Sequence, residues 1–146
     1  MLVRFLIGIA LVFGTTLIHL ACTLMVVRWV RGVTRRHASV HTLTLRGAVL
    51  GGLVMLMSLA AYLESVLWAG FYVIVGALPT FSEAVYFSLV TFTTLGYGDV
   101  TLSEEWRILA ALEAANGIMM FGWTTAIIVA VFRRLLSDSV ADDNQA

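Results

Sequence analysis

Thr93-Thr94-Leu95-Gly96-Tyr97-Gly98-Asp99 is the stretch from which the rest of the chain can be read. Two glycines alternate with bulkier residues, and glycine enters left-handed φ without steric cost. A backbone using such conformations at Gly96 and Gly98 can turn successive carbonyls toward one axis. A cation leaving water for a membrane needs oxygens in place of its hydration shell, and carbonyls aimed at one axis supply them. The carbonyls of Thr94, Leu95, Gly96 and Tyr97, with the Thr94 hydroxyl, are the candidate oxygen rings. Tyr97 is expected to point away from the axis as a spacer, and Asp99 to sit at the mouth, where its charge draws cations. Gly-x-Gly by itself marks an ordinary turn, so a tight extracellular loop of an unrelated membrane protein is the plain alternative. Two threonines before the motif, an aspartate after it and apolar flanks weigh against that alternative.

Composition places the chain in a membrane. Of 146 residues, 12% are charged and 60% hydrophobic. An ordinary soluble domain carries about 25% charged residues. Several apolar runs are long enough to span, so the expected class is an all-α integral membrane protein. The net charge of zero gives no reason to expect a nucleic-acid partner. Cys22 is the single cysteine, so no intrachain disulfide can form, and it reads as a packing residue. His19, His37 and His41 have no cysteine or carboxylate at ligand spacing. No nucleophile motif and no phosphate-binding loop are present, so neither an enzyme nor a bound cofactor is expected.

Taken in order, residues 1–30 form a first spanning helix, Leu2 to about Val30. Its apolar stretch, Phe5 to Val27, is too long for a signal-peptide core. His19 inside it is expected to be hydrogen-bonded within the bundle. Residues 31–45 form a basic loop; with Arg28 just before it and Arg46 just after, the segment carries Arg31, Arg35 and Arg36. The spacing of Arg28, Arg31 and Arg35 is faintly like a voltage-sensor helix. They follow the apolar span instead of lying in it, which favours a cytoplasmic positive-inside loop. A second helix runs from Leu43 to about Leu78, longer than a bilayer needs, so it tilts, protrudes or breaks near Gly70 or Gly76. Glu64 within it needs a partner or a proton. Trp68 and Tyr72 are expected at the outer interface.

Pro79 stops that helix, and Thr80-Phe81-Ser82-Glu83 is a capping box. A short helix, about Phe81 to Phe92, follows, with its negative dipole end aimed at the glycine motif. Thr101-Leu102-Ser103-Glu104 reads as a second capping box opening a last helix, Ser103 to Leu136, which carries Glu113. Residues 137–146 are polar and acidic, and disorder is expected there. Glu83, Asp99, Glu104 and Glu105 lie on one side of the membrane, and most arginines on the other. The positive-inside rule then puts the N-terminus outside and the C-terminus in the cytoplasm.

From about Ala84 to Phe132 the chain resembles the pore module of small bacterial potassium channels. The resemblance rests on Thr93 to Asp99, on Ala84-Val85-Tyr86-Phe87-Ser88 in the pore helix, and on Gly117-Ile118-Met119-Met120-Phe121-Gly122 with Thr125-Ala126 in the inner helix. It implies a pore module over 46–136 with outer helix, re-entrant pore helix, filter loop and inner helix. It also implies a homotetramer in the inner membrane of the cell that conducts K+ through Thr94, Leu95, Gly96 and Tyr97. Thr93, Gly98, Asp99 and Tyr86 would support the filter and its mouth. Ile118, Phe121 and Thr125 would face a water-filled cavity, with Gly122 beside them and Phe121 as a constriction or a packing residue. Gly117 would be a bending point or a place of close helix approach. Leu95 stands where valine is commonest. Val90 stands where some relatives carry a glutamate paired with the filter aspartate, which leaves Tyr86 to bond Asp99. The first helix is extra to the minimal pore, and neither a voltage-sensor domain nor a ligand-binding domain is expected. A weakly selective cation channel and a non-conducting membrane scaffold are the alternatives. The intramembrane carboxylates Glu64 and Glu113 can lie at similar heights in the outer half of the membrane, with Asn116, Thr91, Thr93 and Trp68 as candidate partners.

Overall fold

Long apolar runs without an internal proline make continuous helices, and the chain forms three. The computed structural model describes the backbone of residues 1–36 and 43–143, and side chains of 1–33 and 44–135. The order is α1 (Leu2–Arg36), α2 (Leu43–Ile74), α3 (Phe81–Phe92) and α4 (Arg107–Asp143). Apolar spans cover Leu2–Val33, Thr44–Ile74 and Arg107–Leu135, each longer than a hydrocarbon core of about 30 Å requires. The 12 residues of α3 reach only about 18 Å. The protein is therefore an all-α membrane protein, with three helices able to cross a bilayer among the described residues.

The helix ends differ from expectation in four places, each for a local reason. α1 continues to Arg36 instead of ending at Val30, so Arg28 and Arg31 lie on a helix. Arginine is a good helix former, and cations favour a helix C-terminus. The side chains of Arg35 and Arg36, and His37 and His41 entirely, lie outside the described residues. α2 ends at Ile74, before Pro79 can act. Gly76 at φ 67 closes a Schellman motif, with Ala77 N–H on the Tyr72 carbonyl at 2.8 Å and Gly76 N–H on that of Val73 at 3.0 Å. α4 starts at Arg107, preceded by a turn in which the Trp106 and Arg107 amides reach the Ser103 carbonyl. The second expected capping box therefore does not open it. At its far end α4 runs past Leu136 to Asp143, since no proline or glycine interrupts the stretch. Residues 144–146 lie outside the described residues.

Contact register gives the helix directions. α1 and α4 run parallel: Arg4 meets Glu105, Thr15 meets Asn116 and His19 meets Thr124, with offsets of 101, 101 and 105 residues. α1 and α2 run antiparallel, because Gly14 faces Leu67, His19 faces Glu64 and the Trp29 ring lies on Gly52. Two apolar cores result. Trp68, Tyr72, Phe87, Phe92, Leu109 and Met120 form one beside α3. Val26, Val49, Leu53, Met57, Val131 and Leu135 form the other toward the far ends of α1 and α4. Trp68 and Tyr72 are wholly buried, not interfacial. α3 folds back over this end of α2 and covers them, with Tyr72 edge-on to Phe87 at 5.4 Å.

Candidate functional site

The residues after α3 take their shape from the way that helix ends. Thr80 caps its start, its hydroxyl accepting from the Glu83 amide at 3.2 Å. At the other end the chain folds back on the last turn. Leu95 and Gly96 amides both donate to the Val90 carbonyl, at 2.9 and 3.2 Å, and Thr94 N–H to that of Thr91 at 2.9 Å. The Thr93 hydroxyl donates to the Leu89 carbonyl at 2.6 Å. These bonds hold the motif's first half against α3.

Along the same segment φ is positive at every second residue: 60° at Thr94, 56° at Gly96 and 78° at Gly98. The sequence signalled the two glycines. Threonine carries no such signal, and a β-branched residue in the left-handed region is a backbone outlier that its surroundings must hold. Every residue from Thr93 to Asp99 is exposed within one chain, Leu95 at 55% and Tyr97 at 67%. A Cβ on Gly96 or Gly98 would meet nothing within 4 Å in that chain. Within a single chain the demand for glycine is thus conformational.

The segment is anchored at its far end by Tyr86, whose hydroxyl donates to Asp99 Oδ2 at 2.6 Å, while Oδ1 accepts from Val100 N–H at 3.1 Å. The bond from Tyr86 holds the Asp99 carboxyl below its usual range and raises the Tyr86 phenol.

α4 stands behind. Gly117 receives the carbonyl of Phe92, so of the two roles considered from sequence the structure supplies close helix approach. Phe121 is edge-on to Phe92 at 5.9 Å. Ile118, Phe121, Gly122 and Thr125 are exposed, and Thr125 returns its hydroxyl to the Phe121 carbonyl at 2.9 Å. Gly122 has open space around it. Ala111, Ala115, Ile118, Gly122, Thr125, Val129 and Phe132 make one uncovered stripe along α4, spaced alternately four and three residues apart.

The two buried carboxylates have separate partners. Glu64 meets His19 Nδ1 at 2.8 Å. Glu113 accepts from the Tyr72 hydroxyl at 2.7 Å, with Ser88 beside it. Asn116 donates to Thr15 at 2.7 Å, and the Trp68 indole N–H has no partner among the described residues, so neither serves Glu113. Thr93 turns its hydroxyl to α3. Sequence reasoning missed Tyr72 because an aromatic near a span end reads as an interfacial anchor.

A family model described as ion channel matches residues 53–134, which take in most of α2, all of α3 and the motif, and most of α4. No curated protein and no solved structure matches the chain. The match covers more than half of the sequence and coincides with the helices that frame the exposed glycine segment, and the chain belongs to the ion channel family.

Proposed function

We propose that this ion channel is selective for potassium and works as a homotetramer, with Thr94, Leu95, Gly96 and Tyr97 as its filter. The alternating positive φ at Thr94, Gly96 and Gly98 carries the reading. Reversing the backbone's hand at every second residue turns neighbouring carbonyls to a common side, where they replace the water around a cation. α3 is then a re-entrant pore helix whose negative end faces the axis. Non-helical backbone at membrane depth needs enclosure by protein or a water-filled path. One chain leaves the segment exposed, so further copies must enclose it. The uncovered α4 stripe is the face that meets the cavity and neighbouring copies. Tyr97 supports potassium over a weakly selective pore, because an aromatic spacer fixes the ring diameter. The charge distribution supports an orientation with Asp99 and the N-terminus outside and the C-terminal end of α4 in the cytoplasm.

Reconstitution into liposomes with a potassium gradient tests this. Potassium flux well above sodium flux is expected, with Gly96→Ala abolishing it while the protein still reaches the membrane. Equal sodium flux would leave a weakly selective channel, and no flux at all a scaffold. Selective flux through Gly96→Ala would refute the filter, and a sole monomer or dimer by mass in detergent would refute the tetramer.

A further inference from the structure

The ion channel match begins at residue 53, so α1 lies wholly outside it. Yet α1 is bound by polar contacts along its length, Arg4 to Glu105 in the turn before α4, and Thr15 to Asn116 and His19 to Thr124 on α4 itself. The last of these involves a third helix. His19 is 1% exposed, and its Nδ1 lies 2.8 Å from Oε1 of the fully buried Glu64 on α2. Its Nε2 lies 3.4 Å from the Thr124 hydroxyl, and its ring 5.2 Å from that of Trp123, both on α4. One imidazole therefore joins the additional helix to α2 and α4. Glu64 Oε2 has no partner among the described residues, so the cluster is only partly satisfied.

The groups facing this imidazole are few. α2 supplies Glu64, and α1 itself supplies the Cys22 thiol, three residues further along the helix. α4 supplies a hydroxyl and an indole, neither of which ionises in this range. Among the described residues no Cα of α3 comes within 8 Å of one in α1. The other buried carboxylate, Glu113, is occupied by Tyr72. The pair is thus net neutral while it shares one proton. A second proton leaves a lone positive charge in an apolar interior with no anion to answer it. Such a charge is expensive, and separation of the partners or entry of water relieves it. Thr124 would feel the separation first, and it adjoins Thr125 and the uncovered α4 stripe.

We propose that His19 and Glu64 form a proton-operated latch between α1 and α4, closed while the pair is net neutral and released when it takes up a further proton. The two are positioning residues for α4 and do not touch the ion. The effect on opening rests on the reading of α4 as the pore-lining helix, and release frees that helix to move. Acidification therefore raises opening.

The test uses the full chain in liposomes, with potassium flux and tryptophan emission followed across pH. Acidification is expected to raise wild-type flux by about fivefold or more, the lower end of ordinary coupling between sites. An emission change over the same pH window should vanish in Trp123→Phe and in His19→Gln, and the flux profile of His19→Gln should be flat. Thr124→Val removes only the α4 side of the latch and should bring neutral-pH flux toward the acid level. Wild-type flux that is present but independent of pH, a conducting His19→Gln protein that keeps the wild-type profile, or measurable neutral flux left unchanged in Thr124→Val would overturn the latch. Absence of flux at every pH, with the His19-dependent emission change intact, would remove the pore reading and leave the latch standing.

Discussion

The backbone of Gly117 lies against the carbonyl of Phe92, and no methyl group fits between α4 and the end of α3. Because the obstacle is backbone, a Cβ at 117 has to push α3 away. Gly117→Ala should cost about 1–3 kcal/mol, the usual range for overpacking. Gly122 differs: nothing lies within 4 Å of the added atom. Gly122→Ala should be neutral or stabilise by up to about 1 kcal/mol through helix propensity. Thermal midpoints of the two proteins in detergent provide the comparison. Equal midpoints would mean that α3 does not seat on Gly117.

Thr94 holds φ 60 against its own side chain. Thr94→Gly should relieve that strain and stabilise the fold by about 1–2 kcal/mol. It should also lower discrimination against sodium, since the proposed filter loses a hydroxyl. Thr94→Ser keeps the hydroxyl and should conduct selectively. If Thr94→Gly conducts with wild-type selectivity, the hydroxyl is not an ion ligand.

The Glu113 carboxyl accepts a 2.7 Å hydrogen bond from the Tyr72 hydroxyl. Tyr72→Phe leaves that buried group without its donor, at an expected cost of about 1–3 kcal/mol. Glu113→Gln keeps the shape and hydrogen-bonding capacity and should be far milder than Glu113→Ala. Denaturation in detergent ranks the three. If the Glu113 carboxyl serves only to brace the helices around it, Glu113→Gln keeps the wild-type pH response; loss of that response would instead make Glu113 a proton sensor.

Tyr86 and Asp99 supply a pH prediction with a definite sign. The Asp99 carboxyl is held below its ordinary range by the bond from Tyr86. Its contribution is therefore present above the ordinary carboxylate value of about 4 and is lost only as pH falls through the lowered value. Tyr86→Phe should return the Asp99 titration toward the ordinary range. Carboxyl NMR of labelled aspartate reads this directly, and an unmoved Asp99 signal would show that the bond does not form.

The sequence was most legible where one residue type dictates the backbone. Pro79, Thr80 and Glu83 bracket α3, which spans Phe81–Phe92 as expected, and Gly96 and Gly98 take the left-handed conformation their side-chain-free carbons allow. His19 was legible as a hydrogen-bonded residue, but its partner was not. Which carboxylate meets which donor depends on helix rotation and register, and local pattern encodes neither. Trp68 and Tyr72 show the same limit, because an aromatic near a span end looks interfacial until a neighbouring helix is known to cover it. Thr94 was the least legible, since its conformation is imposed by bonds from residues on either side to the end of α3.

The parallel pairing of α1 with α4 also orders events during synthesis. Residues 15 and 19 enter the bilayer about a hundred residues before Asn116 and Thr124 exist. Glu64 is made only 45 residues after His19, so a hairpin of α1 and α2 can pair its own buried polar groups while the ribosome is still working. α4 then arrives beside a finished two-helix platform and completes it. A nascent chain arrested after α2 should integrate stably, and Glu64→Ala should make the same arrested chain prone to extraction by alkali. Equal resistance of the two would show that the hairpin needs no such pair to remain in the membrane.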